Sequence, residues 1–222
     1  MTEQAGLAAV LFDMDGTLLD SEPLWDKALR LLAEHHGGVL SDRARLAMVG
    51  RNARETMGIF YDDLRIGDPD RAADGRFVAD QMVELYATEL TWQPGAAELV
   101  AEVRAAGVPT ALVTSTHRRL VDVALASTLG RDTFDAVVCG NEVTAPKPHP
   151  ESYLTAADRL GVPIDRCVAI EDSPTGLTSA LAAGAVVVGV PGEVPLTGID
   201  GAHLVPGLAE VDLAYLSKLV GP

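Results

Sequence analysis

From residue 94 onward the chain alternates apolar, strand-like runs with amphipathic helical runs four times, and that alternation restricts the fold more than any other feature. The spacing predicts helices over 96–106, 118–129, 150–160 and 175–183, and strands over 108–113, 136–139, 167–170 and 185–190. Strands separated by helices do not pair as hairpins. They form a parallel sheet with right-handed crossovers and helices on both faces, an α/β architecture. At 222 residues the chain is long enough to bury such a sheet on both sides.

A further apolar run, Val10-Leu11-Phe12, stands far upstream, and no convincing strand follows it before residue 91. Helical patterns fill the interval. Ser21 is placed as N-cap of the first helix with Pro23 in its first turn, and further helices are expected over 42–49, 54–64 and 71–90. The early strand therefore belongs to the later sheet, which makes 21–91 an all-helical insertion above the strand ends. The expected division is a core of residues 1–20 and 92–222 and a cap of 21–91. A Gly- and Pro-rich passage over 191–206 predicts loops with a short edge strand at 203–205, and 208–219 predicts a closing helix.

A formal charge of −15, with only Lys27, Lys147 and Lys218 as lysines, argues against nucleic acid or an anionic membrane as partner. No apolar stretch approaches the roughly 20 residues of a membrane helix, and the first nine residues lack a signal-like pattern. A cytoplasmic monomer is expected. Cys139 and Cys167 lie in or beside apolar runs without metal-ligand spacing, the pattern of buried reduced thiols.

In a parallel sheet the residues that follow each strand gather at one edge, where ligands bind. Here those residues are chemically suggestive. After the first strand come Asp13 and Asp15, one residue apart. Carboxylates so close repel unless a cation or a shared proton compensates; the alternative is a solvated acidic turn. After the second come Thr114, Ser115 and Thr116, hydroxyls suited to a phosphate oxygen or simply to capping the next helix. After the third, Lys147 is flanked by prolines that stiffen its loop, although a solvated loop lysine is the bland alternative. After the fourth, Glu171 and Asp172 add two acids at a helix start, where the dipole alone would favour one. Four carboxylates and one lysine gather at such cost that a divalent cation is implied, and all-oxygen ligands select Mg²⁺ over zinc.

These four segments, Asp13-Met14-Asp15-Gly16-Thr17, Thr114-Ser115, Lys147 and Glu171-Asp172, resemble in this order the haloacid dehalogenase-like superfamily. The helical insertion resembles the cap of its β-phosphoglucomutase-like and sugar-phosphate phosphatase branch. The resemblance implies a Rossmann-like core in which Asp13 is the nucleophile, forming an aspartyl-phosphate, and Asp15 is general acid and then base. It implies Mg²⁺ held by Asp13, the backbone carbonyl of Asp15 and Asp172, with Glu171 as a ligand or as support for the ligands. Thr114, ahead of Ser115, would bind phosphate together with Lys147. Dehalogenases lack the second aspartate, so its presence points to phosphoryl transfer.

In the cap, the segment 50–55 resembles one in the mutase branch, which would direct Arg54 toward phosphate or sugar; an exposed helix arginine is the alternative. His117 follows the hydroxyl cluster and is placed near substrate. Trp25 stands where the mutases carry a histidine, and an indole cannot relay a proton, although Trp25 could also be core packing. Lys27 is the only cap lysine, whereas a phosphonate-cleaving relative needs one for a Schiff base. Both departures favour hydrolysis. The implied function is a Mg²⁺-dependent phosphatase of a small phosphorylated metabolite, a sugar or polyol phosphate. Its rivals are a hexose phosphomutase and a non-catalytic phosphometabolite-binding protein.

Overall fold

The computed structural model describes residues 6–49 and 53–221. Six parallel strands, β1 (Ala9–Phe12), β2 (Thr110–Val113), β3 (Ala136–Val138), β4 (Cys167–Glu171), β5 (Val186–Gly189) and β6 (Ala202–Leu204), lie in the order β3-β2-β1-β4-β5-β6. The chain winds outward in one direction from β1 to β3 and in the other from β4 to β6. The order therefore switches between β1 and β4, and a crevice opens at their C-terminal ends.

Every residue of β1, β2 and β4 is buried, as expected for central strands covered on both faces. Their side chains alternate between two clusters. Val10, Phe12, Val168 and Ile170 enter one, while Ala9, Leu11 and Ala169 enter the other with Tyr153 and Leu177. The alternation runs to Glu171 at the end of β4 and on to Asp13 just past β1, so both fall on the Tyr153 side. Phe12 pairs with Ile170, and the Asp13 amide donates to the Ile170 carbonyl at 3.0 Å. That register sets the two carboxylates side by side.

Between β1 and β2 the described residues form helices α1 (Glu22–His35), α2 (Asp42–Met48), α3 (Ala53–Leu64) and α4 (Arg71–Thr88), followed by α5 (Ala96–Ala105). The first four build a small core of their own around Leu32, Leu40, Met48 and Phe60. Leu24 and Ala28 of α1, with Met82, Leu85 and Tyr86 of α4, instead join the cluster against the sheet. These two helices thus carry the insertion on the core. The remaining helices are α6 (Arg118–Ala124), α7 (Glu151–Leu160), α8 (Pro174–Ala183) and α9 (Leu213–Val220).

Three local expectations change. The helix expected over 118–129 is α only to Ala124 and finishes in a wider π turn, Leu125–Leu129. Within that turn Ser127 and Thr128 donate to the carbonyls of Tyr86 and Leu90, which ties it to the end of α4. The closing helix divides into a 3₁₀ turn, Leu208–Glu210, and α9, because the Asp212 side chain accepts from the Tyr215 amide at 2.6 Å and starts a new helix. Ser21 precedes α1 but does not cap it: its backbone is already helical, at φ −95° and ψ −16°, and its side chain accepts no bond from the helix. Both cysteines are buried and free. Among the described residues no helix is long and apolar enough to cross a membrane.

Candidate functional site

The Lys147 ammonium sits at the centre of the crevice. It donates to Asp13 Oδ1 at 2.7 Å, to Glu171 Oε1 at 2.6 Å and to the Val113 carbonyl at 2.9 Å, and its side chain is 4% exposed. All three of its protons are used, which orients the loop after β3 against the ends of β1, β2 and β4. Glu171 is fully buried and satisfied on both oxygens. The Tyr153 hydroxyl donates to Oε1 at 2.6 Å and the Ser173 hydroxyl to Oε2 at 3.2 Å. Gly176 is required beside it, because a Cβ there would lie 2.0 Å from the Glu171 carboxylate.

Asp13, Glu171 and Asp172 each offer an oxygen within 4.8 Å of the others. Three carboxylates around one ammonium leave negative charge uncompensated. Burial, and then the Glu171 charge, push the Asp13 carboxyl well above the usual carboxylate range, against the pull of Lys147. Burial and Glu171 likewise push Asp172 up to about 7, although Thr17 donates to its Oδ1 at 3.1 Å. Burial pulls Lys147 down, but Asp13 and Glu171 outweigh it and hold the amine charged. An all-oxygen cluster with excess negative charge fits a hard divalent cation.

Asp15 has an entirely different set of partners. Tyr86, from α4, donates to its Oδ1 at 2.5 Å; Thr116 donates to Oδ2 at 2.7 Å, and Thr114 makes a longer contact of 3.4 Å to the same oxygen. Gly16, which turns the chain directly after Asp15, has φ +81°, and a Cβ there would meet Asp172 Oδ2 at 2.2 Å. Both its backbone conformation and its clearance exclude a side chain.

Outside this buried centre a cleft of about 620 Å³ opens between the insertion and the core, with Gly16 and Asp172 on its floor. Its walls carry Glu22, Asp26 and Arg45 from the insertion and Glu193 from the loop after β5. Burial and the nearby Glu193 carboxylate push Glu22 up to about 7.

The structure brings Asp13, Asp15, Thr114, Lys147, Glu171 and Asp172 together at the strand ends. Ser115 and His117 lie on the same loop with exposed side chains. Trp25 packs against the core cluster and faces the Tyr86 hydroxyl, and Arg54 is exposed on α3; neither lines the cleft. Of the segment 50–55, residues 50–52 lie outside the described residues. The sequence pointed to Thr116 only as a phosphate or capping hydroxyl and not as a partner of Asp15, and it gave no sign of Tyr86, Tyr153 or Arg45. Tyr86 and Arg45 sit in ordinary helical patterns with no local signal, whereas Thr116 was visible as the third hydroxyl of its cluster.

Carboxylates, hydroxyls and a lysine converging at the switch point of a parallel sheet define a hydrolase-type α/β site suited to phosphate. The haloacid dehalogenase-like hydrolase model matches residues 7–184, and the chain belongs to that family. It is 35% identical over 209 residues to the protein CbbY of Rhodobacter capsulatus, covering 84% of this chain and 86% of the relative. It is 31% identical over 220 residues to hexitol phosphatase B of Escherichia coli K12, covering 99% and 97%. Among solved structures, CbbY of Rhodobacter sphaeroides in complex with xylulose-(1,5)-bisphosphate superimposes with a TM-score of 0.80 at 31% identity, covering 95% of this chain and 99% of that one.

Proposed function

We propose that the protein is a Mg²⁺-dependent phosphatase that hydrolyses small sugar or polyol phosphates through an aspartyl-phosphate on Asp13. The observation that carries this reading is the complete separation of partners between the two aspartates. Asp13 is bound by Lys147, and Asp15 by Tyr86 and Thr116. A nucleophile and a proton carrier two residues apart need different environments to perform different steps.

Asp13 attacks phosphorus and keeps the phosphoryl group as an acyl phosphate. Asp15 gives its proton to the departing sugar oxygen, then removes one from the water that cleaves the acyl phosphate. Lys147, with Thr114 ahead of Ser115, balances charge on the phosphate oxygens. Asp13, the Asp15 carbonyl and Asp172 would hold Mg²⁺, which when bound neutralises phosphate charge and draws phosphate and nucleophile together. Glu171, whose oxygens are engaged by Lys147, Tyr153 and Ser173, holds Lys147 in place. Residues 21–91 act as the cap, and the −15 charge suits a small metabolite rather than nucleic acid or membrane as partner. Free buried cysteines accord with a reducing, cytoplasmic location.

Hydrolysis is favoured over isomerisation of the sugar phosphate because the Trp25 indole, a donor with no acceptor, cannot relay a proton, and because relatives include named phosphatases. The test is phosphate release from a panel of hexitol, hexose and glycerol phosphates with Mg²⁺. A parallel incubation contains β-glucose 1-phosphate and a trace of the bisphosphate. Phosphate release is expected to dominate; faster isomerisation would assign the mutase reaction instead.

A further inference from the structure

Charged side chains that the chemistry leaves unused line the mouth of the cleft. Arg45, on α2, is 17% exposed in its side chain; its Nε lies 2.8 Å from Asp26 Oδ1, and its Nη2 lies 3.2 Å from Glu193 Oε1 and 3.8 Å from Glu22 Oε2. Glu22 and Asp26 belong to α1 and Glu193 to the core, so one guanidinium joins two cap helices to the loop after β5 across the entrance. Arg30, the other described cation lining the cleft, is engaged by Asp26 at 2.8 Å and Asp42 at 3.4 Å.

Both described cations are therefore occupied by carboxylates. Among the described residues, the cleft wall carries more acid than base. A second phosphate there would have to displace Glu22 or Glu193 from Arg45 while meeting their charge. Sugar hydroxyls, by contrast, can donate to those oxygens without disturbing the guanidinium. Discrimination built on an unfavourable charge pairing is a recurrent device in specific sites.

Resting on the phosphatase reading above, we infer that the Glu22 and Glu193 carboxyl pair, held by Arg45, determines specificity: it admits monophosphates with an uncharged, hydroxyl-bearing far end and rejects bisphosphates. Glu22 and Glu193 act on the part of the substrate remote from phosphorus. They select by binding.

The test measures binding by calorimetry in Asp13→Asn protein with Mg²⁺, using hexitol 6-phosphate and hexitol 1,6-bisphosphate. The monophosphate is expected to bind about tenfold more tightly or better, and Glu22→Gln with Glu193→Gln in the same background should reduce the preference to about threefold or less. Glu193→Gln alone, in an exposed-loop setting, gives an intermediate ratio and serves if the double variant folds poorly. Equal affinities before substitution, or a preference untouched by either variant, would overturn the inference. Turnover of hexitol 6-phosphate by the unaltered enzyme is scored separately. Selective binding without turnover upholds the carboxyl pair and overturns the phosphatase reading, whereas turnover without selectivity does the reverse.

Discussion

The Tyr86 hydroxyl donates to Asp15 Oδ1 at 2.5 Å, joining a fully buried residue of helix α4 to a carboxylate beyond the end of β1. The bond crosses from the helical insertion to the core. Asp15 is thereby oriented by a residue 71 positions away. Burial and the Asp15 charge hold the Tyr86 phenol far above its ordinary titration range, so it remains a donor at every pH the enzyme meets.

Tyr86→Phe is expected to lower kcat by about 10- to 100-fold, the worth of one hydrogen bond to a charged group, with a smaller change in KM. The loss should be greater for a sugar phosphate than for an aryl phosphate, whose leaving oxygen needs less help from an acid. Equal losses on both substrates would mean that Tyr86 serves folding alone.

Asp13→Asn is expected to reduce turnover by about 10⁴-fold or more and to abolish phosphoenzyme labelling. The asparagine oxygen can still accept from Lys147, so the melting temperature should remain within about 4 °C of the parent, the equivalent of about 1 kcal/mol. Residual labelling would place the nucleophile elsewhere.

Mg²⁺ at about 100 times its dissociation constant should stabilise the protein by about 2.7 kcal/mol and raise its melting temperature by about 5–10 °C, because the cation compensates the crowded carboxylates. Asp172→Asn should remove most of that increment, and calorimetric scans with Mg²⁺ or a chelator measure both. An unchanged increment would exclude Asp172 from the cation site.

Lys147→Met leaves Asp13 and Glu171 buried without their cation and is expected to cost about 3–5 kcal/mol in urea unfolding. Lys147→Arg should not restore activity, because a planar guanidinium cannot direct three donors to Asp13, Glu171 and the Val113 carbonyl as the ammonium does. A fully active arginine variant would contradict that geometry.

Glu22 gives the pH dependence. Burial and Glu193 raise its folded pKa from 4.5 to about 7, so the folded state holds this proton more tightly than the unfolded chain. Stability is therefore lost as pH rises through this window, and the penalty is complete above it. The side chain is 42% exposed, and screening reduces the effect to about 1 kcal/mol. Glu22→Gln should melt about 2–4 °C above the parent at pH 8 and level with it at pH 4. The same difference at both pH values would assign the effect to packing.

The alternating pattern after residue 94 and the lone strand before it determined the parallel sheet, and with it the meeting of Asp13, Thr114, Lys147 and Glu171 at one edge. Strand periodicity and crossover handedness are local properties, and both can be read from residue types in order. The burial of the two cysteines followed in the same way from their apolar neighbours.

Only the tertiary structure decided which groups touch those residues. Tyr86 reaches Asp15 because α4 packs against α6 and the π turn that follows it, and Tyr153 reaches Glu171 because both fall on one face of the sheet. Arg45, rather than Arg54, lines the cleft because α2 faces the loop after β5. A helical pattern states which side of a helix is apolar, but it does not state which neighbour that helix meets. The partners of Asp15 and the charged mouth of the cleft are set by contacts between elements distant in sequence, whose energies no local window contains.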